Sequence, residues 1–189
     1  MKKVFLPATL ALALMSFVVA SLATWKSDSA HSRLGFTITH MGISEVNGQF
    51  DKFDVTMSTP NEDFAGATIE MTAQAATINT GMSMRDDHLR TADFFDVEKH
   101  PTLTFKSTSV KKGKGNAYTV TGDLTMKGIT KSVTFQAIHN GMAKNRAGGD
   151  VAGFRMTGTI KRSDFKVGEP GGTLADEVKL IADLEVAKN

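Results

Sequence analysis

Near the end of the chain, residues 178–186 read VKLIADLEV. Every second residue of this stretch is apolar, namely Val178, Leu180, Ala182, Leu184 and Val186. The residues between them are Lys179, Ile181, Asp183 and Glu185. Successive side chains of a β-strand point to opposite faces, so this alternation predicts a strand with one buried and one exposed face.

The same two-residue period recurs through most of the chain. It occurs in residues 34–39, 67–78, 102–110, 118–126, 133–135 and 154–160. Residues 48–57 also read as one strand, in which the three-residue step from Phe50 to Phe53 predicts a β-bulge. Lys127 and Gly128 separate two of the runs and predict a tight hairpin turn. About eight short antiparallel strands favour a closed barrel or a sandwich.

Only residues 85–95 break this rhythm. Their charged, helix-compatible residues predict one short helix near residues 84–92, with Thr80 or Ser83 as its N-cap. Such a helix would suit a lid over a barrel mouth, with Arg85 or Arg90 available to a polar or anionic head group. The alternative is a helix that plugs the end of the barrel.

The N-terminus has the pattern of a secretory signal peptide. Lys2 and Lys3 precede an apolar run that ends in the small residues around Ala23. We therefore predict a cleaved signal peptide over residues 1–23, one mature domain over residues 24–189, and a periplasmic location. A retained anchor is the alternative, but the apolar run is shorter than the roughly 20 residues that a spanning helix needs.

The composition excludes several classes of protein. The chain has no cysteine, so burial of a core must replace disulfides after export. Removal of Lys2 and Lys3 with the signal peptide reduces the 22 basic residues to 20, which balance the 20 acidic ones. This balance predicts no nucleic-acid partner, no attraction to anionic membranes, and no stable membrane insertion after cleavage.

Motifs of the common enzyme classes are missing from the sequence. The five histidines form no recognisable ligand pair, so we expect no metal and no cofactor. The rival hypothesis is an enzyme in which His88 acts with Asp86 or Asp87 as an acid–base pair. Neighbours on a helix do not face each other, and either aspartate is better placed for an ion pair with Arg90. We predict a protein that is not an enzyme.

The aromatic residues favour an apolar ligand. The chain has 12 phenylalanines but one tryptophan and one tyrosine, so most of its rings make no demand for a hydrogen bond. Ten methionines add adaptable apolar surface. An eight-stranded barrel has an interior that is either filled by side chains or wide enough for one small apolar ligand, as in lipocalins. A solid-core barrel with a structural role is therefore a further alternative.

Several ordered stretches resemble the YceI-like family of lipocalin-like, polyisoprenoid-binding bacterial proteins. They are residues 28–40 with His31, Ser32 and the run FTITH, residues 46–50 (VNGQF), residues 84–96 (MRDDHLRTADFFD) with His100, Pro101 and Phe105, residues 120–130 (VTGDLTMKGIT), and residues 162–165 (RSDF). The resemblance covers essentially the whole mature chain. It departs from the family at Lys166, where a glycine is usual.

The resemblance implies an all-β, antiparallel, lipocalin-like extended barrel with a long hydrophobic channel. It also implies non-covalent binding, storage or transport of a polyprenyl, quinone-type or similar amphiphilic lipid, without a metal. Lys166 would narrow one mouth of the channel or add charge to it. An uncapped edge strand would allow a homodimer.

Alternation and the resemblance together give the candidate ligand contacts. For the apolar tail they are Leu34, Phe36, Ile38, Phe50, Leu89, Phe94, Phe95, Phe105, Leu124, Phe135, Phe154 and Phe165. For the head group they are His40, Arg85 and His88. The period of two does not identify the inner face of a strand, so these contacts are predictions that need a structure to test them.

Overall fold

The computed structural model describes residues 22–60 and 62–189, so the predicted signal peptide lies outside the described residues except for Leu22 and Ala23. The strands within these ranges are β1 (Ala23–Ser27), β2 (Arg33–His40), β3 (Ser44–Phe50), β4 (Phe53–Thr59), β5 (Thr68–Gln74), β6 (Ile78–Asn79), β7 (Thr102–Lys112), β8 (Ala117–Met126), β9 (Ile129–Lys144), β10 (Asp150–Lys161) and β11 (Leu174–Lys188). The α-helix is α1 (Ser83–Arg90), and 3₁₀ turns cover Ala75–Thr77 and Arg162–Phe165. No helix in these ranges is both long and apolar enough to cross a membrane.

Eight strands close into an antiparallel ring, in the order β1, β4, β5, β7, β8, β9, β10, β11 and back to β1. Closure leaves no free edge in this ring. β2, β3 and β6 extend it, because β11 pairs with β2 over its first part and with β1 at its end. The predicted all-β barrel of about eight strands with one short helix is confirmed, and the helix lies one residue earlier at its start.

The predicted bulge between Phe50 and Phe53 is wrong, because the predicted strand is divided there into two separate strands, β3 and β4. β3 pairs with β2 and β6, whereas β4 pairs with β1 and β5. The two residues at the break, Asp51 and Lys52, donate their backbone N–H groups to the carbonyl and hydroxyl oxygens of Thr77. The 3₁₀ turn between β5 and β6 thus holds this break, and it also interrupts the strand predicted over residues 67–78.

The other strand and turn predictions agree with the structure. The apolar positions of β8 are buried from Tyr118 to Met126, and Leu184 and Val186 are buried in β11. Lys127 and Gly128 form the two-residue turn between β8 and β9, and both have positive φ (49° and 73°). That conformation matches the right-handed twist of a hairpin. Because the alternating apolar residues of β8 and β11 are the buried ones, the inward face of the barrel is the apolar face.

Glycines on neighbouring strands make room for phenylalanine rings inside the barrel. A Cβ atom on Gly48 would lie 2.3 Å from Phe36 Cζ, and one on Gly158 would lie 2.5 Å from Phe135 Cδ1. Gly122 is the least tolerant case, because its Cβ would lie 2.5 Å from Phe105 Cζ and equally close to a backbone atom, the carbonyl oxygen of Lys106. Glycine within a strand commonly marks such a close approach.

We expect Gly122→Ala to lower the free energy of unfolding by about 1–3 kcal/mol, the usual cost of overpacking a core. The ring of Phe105 can rotate, but the carbonyl of Lys106 belongs to the β7 backbone next to a register shift. Urea unfolding measures the effect. The matched control is Gly153→Ala, whose Cβ would meet nothing closer than 3.6 Å. Equal stability of the two variants would contradict this packing.

Candidate functional site

One end of the barrel encloses a cavity of about 470 Å³. Its walls come from β2, β3, β8, β10, β11, helix α1, the loops on either side of that helix and the segment between β10 and β11. Thirteen of its nineteen lining residues are apolar. They are Phe36, Ile38, Val46, Phe50, Leu89, Phe94, Phe95, Met126, Ile160, Val167, Leu174, Val178 and Leu180, and the polar ones are His40, Thr80, Arg85, His88, Arg162 and Thr173.

Nine of the fifteen candidate ligand contacts line this cavity. They are Phe36, Ile38, Phe50, Leu89, Phe94 and Phe95 from the tail set, and His40, Arg85 and His88 from the head-group set. All three residues expected near the head group thus share one cavity with half of those expected near the tail. Whether any of them contacts a ligand stays a prediction.

The structure places the other six candidates outside the cavity lining, in the packed part of the barrel or, for Phe165, in the 3₁₀ turn after β10. Phe105, Leu124, Phe154 and Phe165 are buried in the core, and Leu34 and Phe135 pack against it. The rings of Phe105 and Phe135 meet edge to face with their centroids 5.4 Å apart. The second cavity in this part measures only about 30 Å³ and has apolar walls that include Phe154. The barrel is thus filled at one end and hollow at the other.

Helix α1 covers one side of the cavity, and its attachment differs from the predicted caps. The N-cap residue is Met82, which makes no side-chain capping bond, so the prediction of Thr80 or Ser83 is wrong. Instead, the buried carboxylate of Asp86 accepts hydrogen bonds from the backbone N–H (2.9 Å) and hydroxyl (2.5 Å) of Thr80. Arg85 donates from Nε and Nη2 to the hydroxyl and carbonyl oxygens of Thr80. These bonds fix the start of α1 to the strand before it.

The end of α1 is held in a similar way. Arg90 donates to the carbonyl oxygens of Ala76 and Ile78 and to Asp87. The ion pair expected between Arg90 and one of the two aspartates therefore forms with Asp87, at 2.7 Å. The guanidinium of Arg90 thus binds residues that do not line the cavity. Arg85 is the arginine of this helix that lines it.

The aromatic pair after α1 closes the side of the cavity beneath the helix. Phe95 meets Phe50 edge to face at 5.7 Å between ring centroids, and Phe94 meets His88 in the same way at 5.0 Å. Gly168 makes room for Phe94, because a Cβ there would lie 2.7 Å from the ring. The segment proposed as lid or plug therefore does both: it borders the mouth and packs rings against the barrel interior.

Arg162 holds the loop on the opposite side of the mouth. It is 4% exposed and donates to three backbone carbonyls, from Nε to Ala175 (2.9 Å), from Nη1 to Val167 (3.1 Å) and from Nη2 to Leu174 (3.4 Å). Arg162 lies in one of the stretches that resemble the family, but the sequence did not predict it as a ligand contact. No local signal identifies its role, because its acceptors lie 5 to 13 residues further along the chain, in the loop before β11 and at the start of β11.

Asp176 supports the same loop from outside the cavity lining. Its carboxylate accepts hydrogen bonds from the backbone N–H (2.9 Å) and the hydroxyl (2.7 Å) of Ser163. These bonds, with the nearby charge of Arg162, lower the pKa of Asp176 below its usual value. The carboxylate therefore stabilises the fold above the ordinary pKa of aspartate, and this contribution is lost as the pH falls through the lowered pKa.

The proposed acid–base pair of the rival hypothesis does not form. Asp86 is bonded to Thr80 and Asp87 to Arg90. His88 instead lies with its Nε2 atom 3.3 Å from Asp93, and these two side chains are 60% and 76% exposed. Among the described residues, Asp93 is the carboxylate within hydrogen-bonding distance of the His88 ring, so it alone could orient His88 as a base.

A group that could hold a metal lies elsewhere. Among residues 22–60 and 62–189, Asp28, His31 and Glu185 bring their ligand atoms within 4.8 Å of one another. The hydrogen bond and charge of Asp28 raise the pKa of His31, as in an ordinary exposed ion pair. None of the three residues lines the cavity. The expectation of no metal and no cofactor stays a prediction.

We expect Asp86→Ala to destabilise the protein by about 1–3 kcal/mol, since it leaves the donors of Thr80 unpaired in a buried place. Hydrogen exchange should show faster opening of α1 than in the wild type. Asp87→Ala is the control on the same helix, because its exposed pair with Arg90 contributes at most about 1 kcal/mol. A larger loss from Asp87→Ala than from Asp86→Ala would contradict this account of the helix start.

Comparison with known proteins gives the family. A family model described as YceI-like domain matches residues 25–186. The chain belongs to the YceI-like family. It is 39% identical over 175 residues to a UPF0312 protein of Pseudomonas putida, covering 92% of this chain and 91% of that protein. It is 38% identical over 187 residues to the protein YceI of Escherichia coli O157:H7, covering 98% and 97%.

Solved structures agree with the YceI-like fold. BcnA of Burkholderia cenocepacia matches with a TM-score of 0.75 and 31% identity, over 84% of this chain and 98% of that one. A polyisoprenoid binding domain from Saccharophagus degradans matches with a TM-score of 0.68 and 15% identity, over 89% and 100%. At such low identity the second likeness establishes the shared fold alone.

Proposed function

We propose that this YceI-like protein binds and carries a long-chain isoprenoid or similar amphiphilic lipid in the periplasm, without catalysing a reaction. The observation that carries the proposal is the cavity of about 470 Å³ with its apolar walls. Ligand sites commonly measure about 300–1,000 Å³ and combine apolar walls with a few polar groups that orient the ligand. The Saccharophagus degradans domain described as polyisoprenoid binding supports an isoprenoid as the first ligand to test.

The distribution of polar groups gives the ligand a direction. His40, Arg85 and His88 belong to the end of β2 and to α1 and are partly or fully exposed, whereas the apolar lining residues Phe50 and Met126 are buried. Arg85 uses Nε and Nη2 to hold Thr80, and its Nη1 makes no hydrogen bond to a described residue. The apolar tail would therefore enter first, and the head group would stay at the mouth beside the donors of Arg85.

The filled end of the barrel limits how much of a tail the cavity encloses. The packed rings of Phe105 and Phe135 leave only a small apolar space beyond the cavity. Each buried methylene contributes about 0.8 kcal/mol, so affinity should rise with tail length until the cavity is full and then stay constant. A very long polyprenyl chain would extend out of the mouth.

The experiment has two steps. Native mass spectrometry of the mature protein isolated from its own periplasm, followed by lipid identification, should release an isoprenoid. Titration with prenols of two to ten isoprene units should then show the rise and plateau in affinity. Failure of every isoprenoid to bind, together with a ligand-free native mass, would contradict the proposal and favour a structural barrel. N-terminal sequencing of the same sample tests cleavage near Ala23.

The rival enzyme is tested on the same sample. The pair that favours it is His88 with Asp93, which lies at the mouth. Its exposure to water weakens electrostatic effects on a reacting group. We expect His88→Ala to retain tail binding and the phenotype of the wild type. A lipid that is converted to a product by the wild type but not by His88→Ala would establish catalysis instead.

A further inference from the structure

Two loop tips carry most of the exposed large apolar residues of the described chain. Met41 and Ile43 lie in the turn between β2 and β3, and Met82 and Met84 lie at the start of α1. Ile43 is 84% exposed and Met84 is 77% exposed. Exposed apolar side chains that cluster in this way mark sites of interaction with proteins or membranes.

Both tips border the mouth of the cavity. His40 and Val46, which flank the first tip, line the cavity, and so do Thr80 and Arg85, which flank the second. The first tip is also tied to the third side of the mouth, because Met41 donates its N–H to the carbonyl oxygen of Thr173 at 2.6 Å. The apolar tips and the apolar cavity thus open toward the same side of the molecule.

Neither tip carries a charge. Residues 41–44 read MGIS and residues 81–84 read GMSM, in a chain of which 22% is charged. The charged residues beside the tips have partners: Glu45 pairs with Lys179 at 2.8 Å, Asp86 bonds to Thr80, and Arg85 bonds to Thr80 through two of its nitrogens and lines the cavity. The residues of the tips themselves are neutral, so their transfer from water into an apolar layer avoids the high cost of burying a charge.

We propose that the two tips insert into the surface of a lipid bilayer, so that the cavity mouth faces the acyl chains. The nature of the cargo rests on the proposed function; the docking itself rests on the tips. The eight residues of the two tips are far fewer than the roughly 20–30 residues a side of a stable protein interface, which argues against a second copy as the occupant. Shallow burial of a small apolar face, about 5–10 Å deep, suffices at a bilayer surface.

The chain has no cysteine, so a single introduced thiol reports from one place. Ile43→Cys and the control Ile138→Cys are labelled with a polarity-sensitive fluorophore and mixed with phosphatidylcholine vesicles. Ile138 is exposed and pairs with Ala117, about 30 Å along β8 from the cavity residue Met126. We expect a blue shift at position 43 alone, unaffected by salt because the tips are neutral. No shift, or equal shifts at both positions, would overturn the proposal.

A second measurement separates docking from ligand binding. The variant M41S/I43S/M82S/M84S should take up a fluorescent prenol from vesicles at least about tenfold more slowly than the wild type, while binding the same prenol from ethanol with unchanged affinity. The control I138S/M142S should behave as wild type. Bilayer docking would be overturned by an unchanged uptake rate. It would also be overturned if the wild type is a dimer and the four serine substitutions make it a monomer. A wild type that inserts at position 43 but binds no prenol from ethanol would retain docking and refute the proposed function.

Discussion

Val178→Trp should lower the affinity for a prenol by about a hundredfold, the largest effect on binding that we expect from one substitution. Val178 lines the cavity on β11 and pairs with Ile38 across the ladder, between the mouth and the deeper pair of Leu180 and Phe36. An indole that displaces about four methylenes of the tail costs about 3 kcal/mol at about 0.8 kcal/mol for each methylene. That free energy corresponds to a factor of about a hundred in affinity.

The control lies three residues further along the same strand. Ile181 alternates with inward-packed Leu180 and Ala182 and belongs to neither the core nor the cavity lining. Ile181→Trp should therefore leave prenol affinity within about twofold of the wild type, as surface changes usually alter free energies by no more than about 0.5 kcal/mol. Calorimetric titration compares the two variants. Equal affinities, with both proteins folded, would show that the ligand binds outside this cavity.

The barrel was predictable because its strands depend on a local pattern. The alternation in residues 178–186 identifies β11, and the same period in β8 places Val120 and Leu124 in the core. The break at Asp51 and Lys52 was not predictable in this way. It depends on hydrogen bonds to Thr77, which lies 25 residues or more away in the chain. A local period cannot distinguish such a break from a bulge.

The division of the barrel into a filled and a hollow end was beyond the sequence for a related reason. Phe36 and Phe105 both occupy inward positions of alternating strands, so the pattern treats them alike. The ring of Phe105 meets Phe135 and fills the lumen, whereas Phe36 lies beside the space that α1 covers. Depth along the barrel therefore decides which apolar residue faces a ligand, and depth follows from strand register rather than from period.

Helix α1 was predicted correctly as an element, but the contact predicted at its start was wrong. Residues 85–95 indicated the helix through their charges, and the pairing of Asp87 with Arg90 follows from their three-residue spacing. Thr80 was expected to cap the helix but donates to Asp86 instead. A buried aspartate is rare unless it is paired, and its partner is visible only when the chain before the helix is in place.

Arg162→Met should cost about 3–5 kcal/mol of the free energy of unfolding, because it leaves three backbone carbonyls without their charged donor. The methionine side chain has a similar length but no donor, so the carbonyls of Val167, Leu174 and Ala175 lose their hydrogen bonds. Each buried acceptor left unpaired costs about 1–3 kcal/mol unless water reaches it. Loss of these bonds frees the segment over residues 166–175, and its opening would widen the cavity mouth.

Arg155→Met provides the matched control, because Arg155 is exposed and its two hydrogen bonds go to Asp183 at 2.6 and 3.1 Å. Its loss should cost no more than about 1 kcal/mol, as for other surface ion pairs. Urea unfolding should separate the variants by several kcal/mol, and hydrogen exchange should locate the faster opening of Arg162→Met in residues 166–175. If both variants unfold alike, Arg162 does not hold the loop, and the bonds from Ser163 to Asp176 and from Met41 to Thr173 must hold it instead.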